Sequence, residues 1–229
     1  MVDSKRRVLF SAFLLLAGYG CSDDDSKGTT GSGSPATAVD AGVGADGGPG
    51  ANPGTPDLPL LSGDNILPIV FLHGFAGSAS QFESQAIRFA ANGYPSERIR
   101  ALDHDGEGFD VSVFIPAVDA FIDAAIHDFG VQKVYLVGHS RGTILSSTYL
   151  GDPAHAAKIA KYVSLDGQGC DAADMAAIPC VAPSQQNQAG QKHVEVATSA
   201  ESFVKMFQLF VGTPPTVTQI VKQSTPVQV

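Results

Sequence analysis

The segment Val134–Gly142, VYLVGHSRG, is the most informative part of the 229-residue sequence. A continuous apolar run of strand length leads directly into a G-x-S-x-G pattern, in which Gly138 and Gly142 flank Ser140. Glycine on both sides permits a sharp turn from a strand into a helix, because larger side chains would collide across it. We therefore expect a buried strand, a tight turn and a helix, with the Ser140 hydroxyl presented at the end of the strand.

Strands and helices are predicted to alternate on both sides of this segment. The strand candidates are residues 68–72, 98–102, 133–137, 162–165 and 178–182. The helix candidates are residues 80–92, 111–129 and 143–150, followed by a helix that opens on the capping-box sequence Thr198-Ser199-Ala200-Glu201. Such alternation predicts a mostly parallel sheet with helices on both faces, in which reactive groups gather at the carboxyl ends of the strands.

A reactive serine needs an imidazole to accept its proton and a carboxylate to orient that imidazole. Among the six histidines, His193 is the best candidate base, because it lies in a polar loop after the last strand candidate and before the last helix. Asp166 is the best candidate acid, because it directly follows the strand candidate 162–165. The alternative acids are Asp171, Asp174 and Glu195.

The sequence resembles the α/β-hydrolase family, and within it the small secreted bacterial lipases and esterases. The resemblance rests on His73-Gly74-Phe75, on the turn Gly138–Gly142 and on the segment His193–Ser199. It implies a minimal α/β-hydrolase fold with no evident cap domain, and it requires no metal and no organic cofactor. It also implies an oxyanion hole made by the backbone N–H groups of Phe75 and Arg141.

The family resemblance leaves two features of the function open. Many hydrolases carry their acid after the strand that corresponds to residues 178–182, and no carboxylate follows there. The pancreatic type of lipase carries it one strand earlier, and Asp166 matches that arrangement. The expected function is carboxylic-ester hydrolysis through an acyl-serine, on a small-molecule or lipid ester. The alternatives are an amidase or thioesterase of the same fold, or a non-catalytic binding protein tethered to the cell envelope.

The N-terminal quarter of the chain is expected to export and tether the folded part. Residues 1–20 have the positive and apolar regions of a signal peptide. Cys21 follows them directly, in a way that resembles a bacterial lipoprotein signal. Residues 21–57 are poor in large apolar side chains and predict a flexible tether. Lipidation of Cys21 would anchor the protein to a membrane of the bacterial envelope, and secretion is the alternative. The catalytic domain is expected over residues 58–212, followed by a strand-prone tail, residues 213–229, that is either paired with the sheet edge or the remnant of a further module.

Composition excludes several other classes of protein. The formal net charge of −9 argues against a nucleic-acid binder that relies on a basic face. The spacing of the three cysteines fits no structural zinc site. Cys170 and Cys180 are expected to form a disulfide in an exported protein, and two free buried thiols are the alternative.

Overall fold

The structure is a computed structural model that describes residues 58–108 and 110–222. The predicted signal peptide, Cys21, the predicted tether and the last part of the tail lie outside the described residues. Within the described ranges, no helix is long and apolar enough to cross a membrane.

The centre of the fold is a five-stranded sheet in which all the described strand pairs are parallel. Its strands are β1 (Ile69–Leu72), β2 (Ile99–Leu102), β3 (Val134–His139), β4 (Ile159–Leu165) and β5 (Cys180–Val181), and their order is β2-β1-β3-β4-β5. The predicted α/β architecture is confirmed. The predicted range of β5 was too long, since only two of its residues pair with β4. The predicted range of β3 was too short, since this strand continues to His139, one residue before Ser140.

Seven α-helices connect or flank the described strands. They are α1 (Glu83–Ala91), α2 (Ile115–Phe129), α3 (Arg141–Leu150), α4 (Pro153–Ala156), α5 (Asp171–Met175), α6 (His193–Thr198) and α7 (Ala200–Val211). Two predicted helices open as short 3-10 turns, Ala79–Phe82 before α1 and Val111–Phe114 before α2. The cap of α7 was predicted one residue too early, because Ser199 accepts the hydrogen bond from the Ser202 N–H at 3.1 Å.

Alternate side chains of the strands pack into two separate cores, as expected for a sheet covered on both faces. Phe71 of β1 lies in the core that α1, α6 and α7 cover, and Val70 lies in the core that α2 and α3 cover. Aromatic side chains fill the first core, where Phe89 contacts Phe203 edge-on with ring centroids 5.1 Å apart. Truncating such a buried aromatic residue costs about 3–5 kcal/mol, so this core contributes strongly to the stability of the sheet.

The described part of the tail contacts helix α1 and forms no strand. Gly212 ends α7 with φ 90°, and the side chain of Asn92 at the end of α1 then binds the tail backbone. Its Oδ1 accepts from the N–H groups of Thr216 and Val217 at 2.7 and 2.9 Å, and its Nδ2 donates to the carbonyl of Val217 at 2.6 Å. The expectation of sheet-edge pairing is therefore wrong for residues 213–222, because a side chain satisfies the backbone there.

Candidate active site

The turn between β3 and α3 places Ser140 at the carboxyl end of the sheet. Ser140 has φ 53° and ψ −119°, a left-handed backbone conformation that few non-glycine residues adopt. A Cβ at Gly142 would collide with the carbonyl oxygen of Leu72, and one at Gly138 would come within 2.7 Å of the Gly142 carbonyl oxygen. The two glycines therefore allow α3 to start against the end of β1, and Ser140 faces outward from this turn.

His193 bridges Ser140 and Asp166 through the two nitrogens of its ring. Its Nε2 lies 2.7 Å from Ser140 Oγ, and its Nδ1 lies 2.6 Å from Asp166 Oδ2. Because an ionised carboxylate only accepts hydrogen bonds, Nδ1 carries the proton and Nε2 accepts from the serine hydroxyl. The sequence predicted His193 in a loop, but it is the first residue of α6. The three side chains, from different elements, thus form one hydrogen-bonded chain.

Asp166 is held at the end of β4 by groups from the segment after β5. Its N–H donates to the Pro183 carbonyl at 2.8 Å. The backbone N–H of Gln185 donates to Oδ1 at 2.9 Å, and the Gln185 side-chain amide donates to Oδ2 at 2.7 Å. Burial disfavours the ionised form of Asp166, but the hydrogen bonds from Gln185 and His193 outweigh it and hold the pKa of the carboxyl below its ordinary value.

Gln185 is a site residue that sequence reasoning missed. It follows β5, where many hydrolases carry the acid, and its role becomes visible only once folding brings its amide to Asp166. Of the four acid candidates, Asp166 is the one that contacts His193 among the described residues. Asp171 and Asp174 lie in α5, and the Glu195 carboxylate accepts from the Lys192 N–H at 2.7 Å.

The two predicted oxyanion donors belong to the two segments that meet at Ser140, the turn after β1 and the start of α3. Arg141 is the first residue of α3, so its N–H has no acceptor within the helix. The N–H of Phe75 in the turn after β1 donates to no acceptor in the part of the chain that the structure describes. This turn lies against the serine, since a Cβ at Gly74 would come within 2.9 Å of Ser140 Cβ. Two free N–H groups near the serine hydroxyl can stabilise a negatively charged oxygen.

Two further histidines support the site. His73 is fully buried, and its Nδ1 donates to the carbonyl of Gly74 at 2.9 Å, so it holds the turn that carries Phe75. The ring of His139, the residue before Ser140, lies against the backbone of His193. Its Nε2 lies 3.1 Å from the His193 carbonyl oxygen, and its Nδ1 lies 2.9 Å from Gln81 Nε2.

An open cleft of about 630 Å³ lies directly over Ser140. The turn after β1 and the start of α6 form its walls, and two apolar side chains on these walls, Phe75 and Val194, are 63% and 58% exposed. The cleft therefore offers apolar surface beside the serine hydroxyl. Within the described ranges, no group of three or more potential ligand side chains is arranged to hold a metal ion.

The expected disulfide between Cys170 and Cys180 is present. It links the residue before α5 to the first residue of β5. Because β5 leads into the segment that holds Asp166, the disulfide restrains the backbone beside the candidate acid.

Comparison with known proteins agrees with this architecture. The family model described as the alpha/beta hydrolase fold matches residues 68–179. A search of curated protein sequences found no match.

Several solved structures are similar to this chain. A lipase of Bacillus licheniformis in its propeptide form is 26% identical, with a TM-score of 0.41 over 48% of this chain and 24% of that one. Its mature form is also 26% identical, with a TM-score of 0.40 over 65% and 60% of the two chains. An epoxide hydrolase of Bacillus megaterium is 21% identical, with a TM-score of 0.33 over 44% and 36%. The matched region spans less than two thirds of each of these proteins.

The parallel sheet, the turn at Ser140 and the match of the family model lead to one conclusion. This chain has the α/β-hydrolase fold, and its resemblance to the α/β-hydrolase family is confirmed.

Proposed function

We propose that this protein is a serine hydrolase that cleaves carboxylic esters through an acyl-serine intermediate. The observation that carries the proposal is the position of the His193 ring, which is within hydrogen-bond distance of both Ser140 Oγ and Asp166 Oδ2. A neutral imidazole in that position can accept the serine proton, and the carboxylate stabilises the imidazolium that results. The contact with Asp166 also weakens the non-catalytic alternative, for which the lack of a carboxylate after residues 178–182 was one support.

Acylation would use the Ser140 hydroxyl, the His193 imidazole and the two oxyanion donors in turn. Ser140 Oγ attacks the carbonyl carbon of the ester while His193 Nε2 takes the hydroxyl proton. The carbonyl oxygen becomes an oxyanion, and the N–H groups of Phe75 and Arg141 donate to it. The C–O bond to the leaving group then breaks, and His193 returns its proton to the departing alkoxide, which leaves as the alcohol.

Deacylation would repeat the sequence with water. His193 Nε2 takes a proton from a water molecule, whose oxygen attacks the acyl-serine carbonyl. The second oxyanion uses the same two N–H donors, and its collapse releases the carboxylic acid and restores the Ser140 hydroxyl. The apolar walls of the cleft, formed by Phe75 and Val194, favour an acyl group that is itself apolar.

Steady-state hydrolysis of p-nitrophenyl esters tests this proposal directly. The wild type should hydrolyse acetate or butyrate esters, and Ser140→Ala should lower kcat by about 10³-fold or more. Ser62, an exposed serine in the irregular segment before β1, provides the matched control, since Ser62→Ala should leave kcat unchanged. Equal rates for Ser140→Ala and the wild type would refute the proposal.

A parallel panel of amides and thioesters separates ester hydrolysis from the alternatives of the same fold. An ester has a better leaving group than an amide, so the acyl-serine should form faster from the ester. We therefore expect hydrolysis of p-nitrophenyl butyrate and little hydrolysis of the matching p-nitroanilide. A higher kcat/KM for the anilide would identify an amidase instead.

We also propose that the protein is exported and anchored to the bacterial envelope through a lipid on Cys21. The support is the sequence of residues 1–21 alone. Expression with a labelled fatty acid should label the wild type and not Cys21→Ser. A wild-type protein that is released unlabelled into the medium would contradict anchoring and favour secretion.

A further inference from the structure

The imidazole of His139 lies between two polar groups at the edge of the candidate site. The side chain is buried, with 2% of the residue exposed. On one side its Nε2 is 3.1 Å from the carbonyl oxygen of His193, and on the other its Nδ1 is 2.9 Å from Gln81 Nε2. The His139 and His193 rings are also neighbours, with centroids 4.8 Å apart.

The partners of His139 determine where its proton lies. The His193 carbonyl can only accept a hydrogen bond, so Nε2 of His139 must carry a proton and donate it. Burial lowers the pKa of His139 to about 4, and the hydrogen bond to the His193 carbonyl and the charge of Asp166 offset only part of this effect. The ring is therefore neutral near pH 7, and its bare Nδ1 accepts from the Gln81 amide. One tautomer satisfies both contacts.

The contact fixes the end of α6 that carries the candidate base. His193 is the first residue of this six-residue helix, so no preceding helical turn holds it. The other end of α6 is fixed by Gln85, whose buried amide donates to the carbonyls of Ala197 and Ser199 at 2.8 and 3.0 Å. Gln81 and Gln85 are four residues apart, so neighbouring side chains support the start of α6 indirectly, through His139, and its end directly.

His139 is also the residue before Ser140. It therefore connects the main chain of the candidate base to the same strand end that carries the candidate nucleophile. A displacement of about 1 Å between reacting groups can cost about 100-fold in rate, so a bond that sets this distance has a large potential effect.

We propose that His139 is a positioning residue that, supported by Gln81, fixes the main chain of His193 and thereby the distance from its imidazole to the Ser140 hydroxyl. This inference rests on the proposed function of Ser140 and His193. His139 itself transfers no proton to or from the substrate.

Kinetics of three variants test this role. His139→Leu removes both hydrogen bonds and should lower kcat for p-nitrophenyl butyrate by about 10- to 100-fold, with a smaller change in KM, because the misplaced ring affects the chemical step. His139→Gln retains an N–H donor of similar reach and should recover much of that loss. His127→Leu, at a position 90% exposed on α2, is the matched control and should behave as the wild type.

Thermal unfolding of each variant separates positioning from misfolding. His139→Gln and Gln81→Leu serve as second variants if His139→Leu fails to fold. If the wild type is active and the folded variants His139→Leu and Gln81→Leu both keep a kcat within twofold of it, the inference is overturned. The proposed function would still stand in that case.

NMR of protein with ¹⁵N-labelled histidine supplies a readout that does not depend on activity. We expect His139 to carry its proton on Nε2 between pH 5 and 8, and His139→Leu to shift the His193 ring and amide signals that His127→Leu leaves in place. A proton on Nδ1, or unshifted His193 signals in His139→Leu, would overturn the inference. If the wild type hydrolyses no ester but His139→Leu still shifts the His193 signals, only the proposed function is refuted.

Discussion

Backbone conformation marks the candidate site at the scale of single residues. The described chain contains four non-glycine residues with positive φ, and three of them lie at the site: Ala76 at 50°, Ser140 at 53° and Asp166 at 46°. Each such residue costs on the order of 1 kcal/mol or more and persists only where its surroundings hold it. Thr143 holds Ser140, since its N–H and hydroxyl donate to the Ser140 carbonyl at 2.9 and 2.6 Å. The strained backbone conformations thus include those of Ser140 and Asp166, two of the candidate catalytic residues.

Asp166→Asn should lower kcat by about 10³- to 10⁴-fold while the protein stays folded. The amide keeps the shape of the carboxyl group, and its oxygen can still accept from the Gln185 N–H. It carries no charge to stabilise the His193 imidazolium, and it favours the wrong tautomer of the ring. Steady-state kinetics with circular dichroism as a check of the fold measure the effect. A loss of less than tenfold would show that another carboxylate serves as the acid.

At the scale of secondary-structure elements, the disulfide restrains the short elements α5 and β5. Replacing Cys170 and Cys180 with serine should lower the free energy of unfolding by about 2–3 kcal/mol, because the unfolded chain gains the entropy of an open loop. The disulfide closes a short loop, because its two cysteines are 10 residues apart in the sequence. Urea unfolding of the wild type and the double variant measures this difference. Equal unfolding midpoints would contradict a stabilising role.

A second restraint at this scale joins α2 to the chain just before β4. Lys158 Nζ donates to Asp119 and Asp123 at 2.7 and 2.6 Å, and the Tyr149 hydroxyl donates to Asp119 at 2.7 Å. Burial disfavours the ionised form of Asp119, yet the hydrogen bonds from Lys158 and Tyr149 outweigh it and lower the pKa of Asp119. A lowered carboxyl pKa stabilises the native state above the pKa of the unfolded chain, and this contribution is lost as the pH falls through the native value.

Asp119→Asn should therefore reduce the free energy of unfolding at pH 7 by about 1 kcal/mol, since the partly exposed pair is screened by solvent. The difference from the wild type should disappear below the pKa of Asp119, where the wild type has lost the same contribution. Urea unfolding from pH 7 to pH 2, a range that extends well below the ordinary pKa of an aspartate, tests this, with Asp64→Asn at an exposed position as the control. A difference that persists unchanged at the lowest pH would contradict the electrostatic explanation.

At the scale of the whole molecule, Asn92 ties the segment after α7 to the first core. Its amide makes four hydrogen bonds, one to the Arg88 carbonyl and three to the backbone of Thr216 and Val217. Asn92→Ala would leave these backbone groups without their partner and should lower the free energy of unfolding by about 1–3 kcal/mol. The exposed Gln132 supplies the control Gln132→Ala. Activity should stay near wild type, and an unchanged unfolding midpoint would show that the tail contact adds no stability.

The sequence predicted the sheet and the position of Ser140 because both depend on local patterns, namely apolar strands of about five residues and two glycines around a serine. Asp166 was predicted from its place after a strand. The roles of Gln185 and His139 were not predictable, since each depends on residues distant in the chain meeting after folding. The start of α6 at His193 was also missed, because six residues between polar loops carry too weak a helical period.

The most direct test of the account is intact mass spectrometry of the folded protein after treatment with a fluorophosphonate. Ser140, activated by His193, should form one covalent adduct, because the phosphonate mimics the ester at the point of attack. The adduct should be absent in Ser140→Ala and should form about 100-fold or more slowly in His193→Ala. An unlabelled wild type, or an adduct that remains in Ser140→Ala, would contradict the claim that these side chains form a working nucleophile.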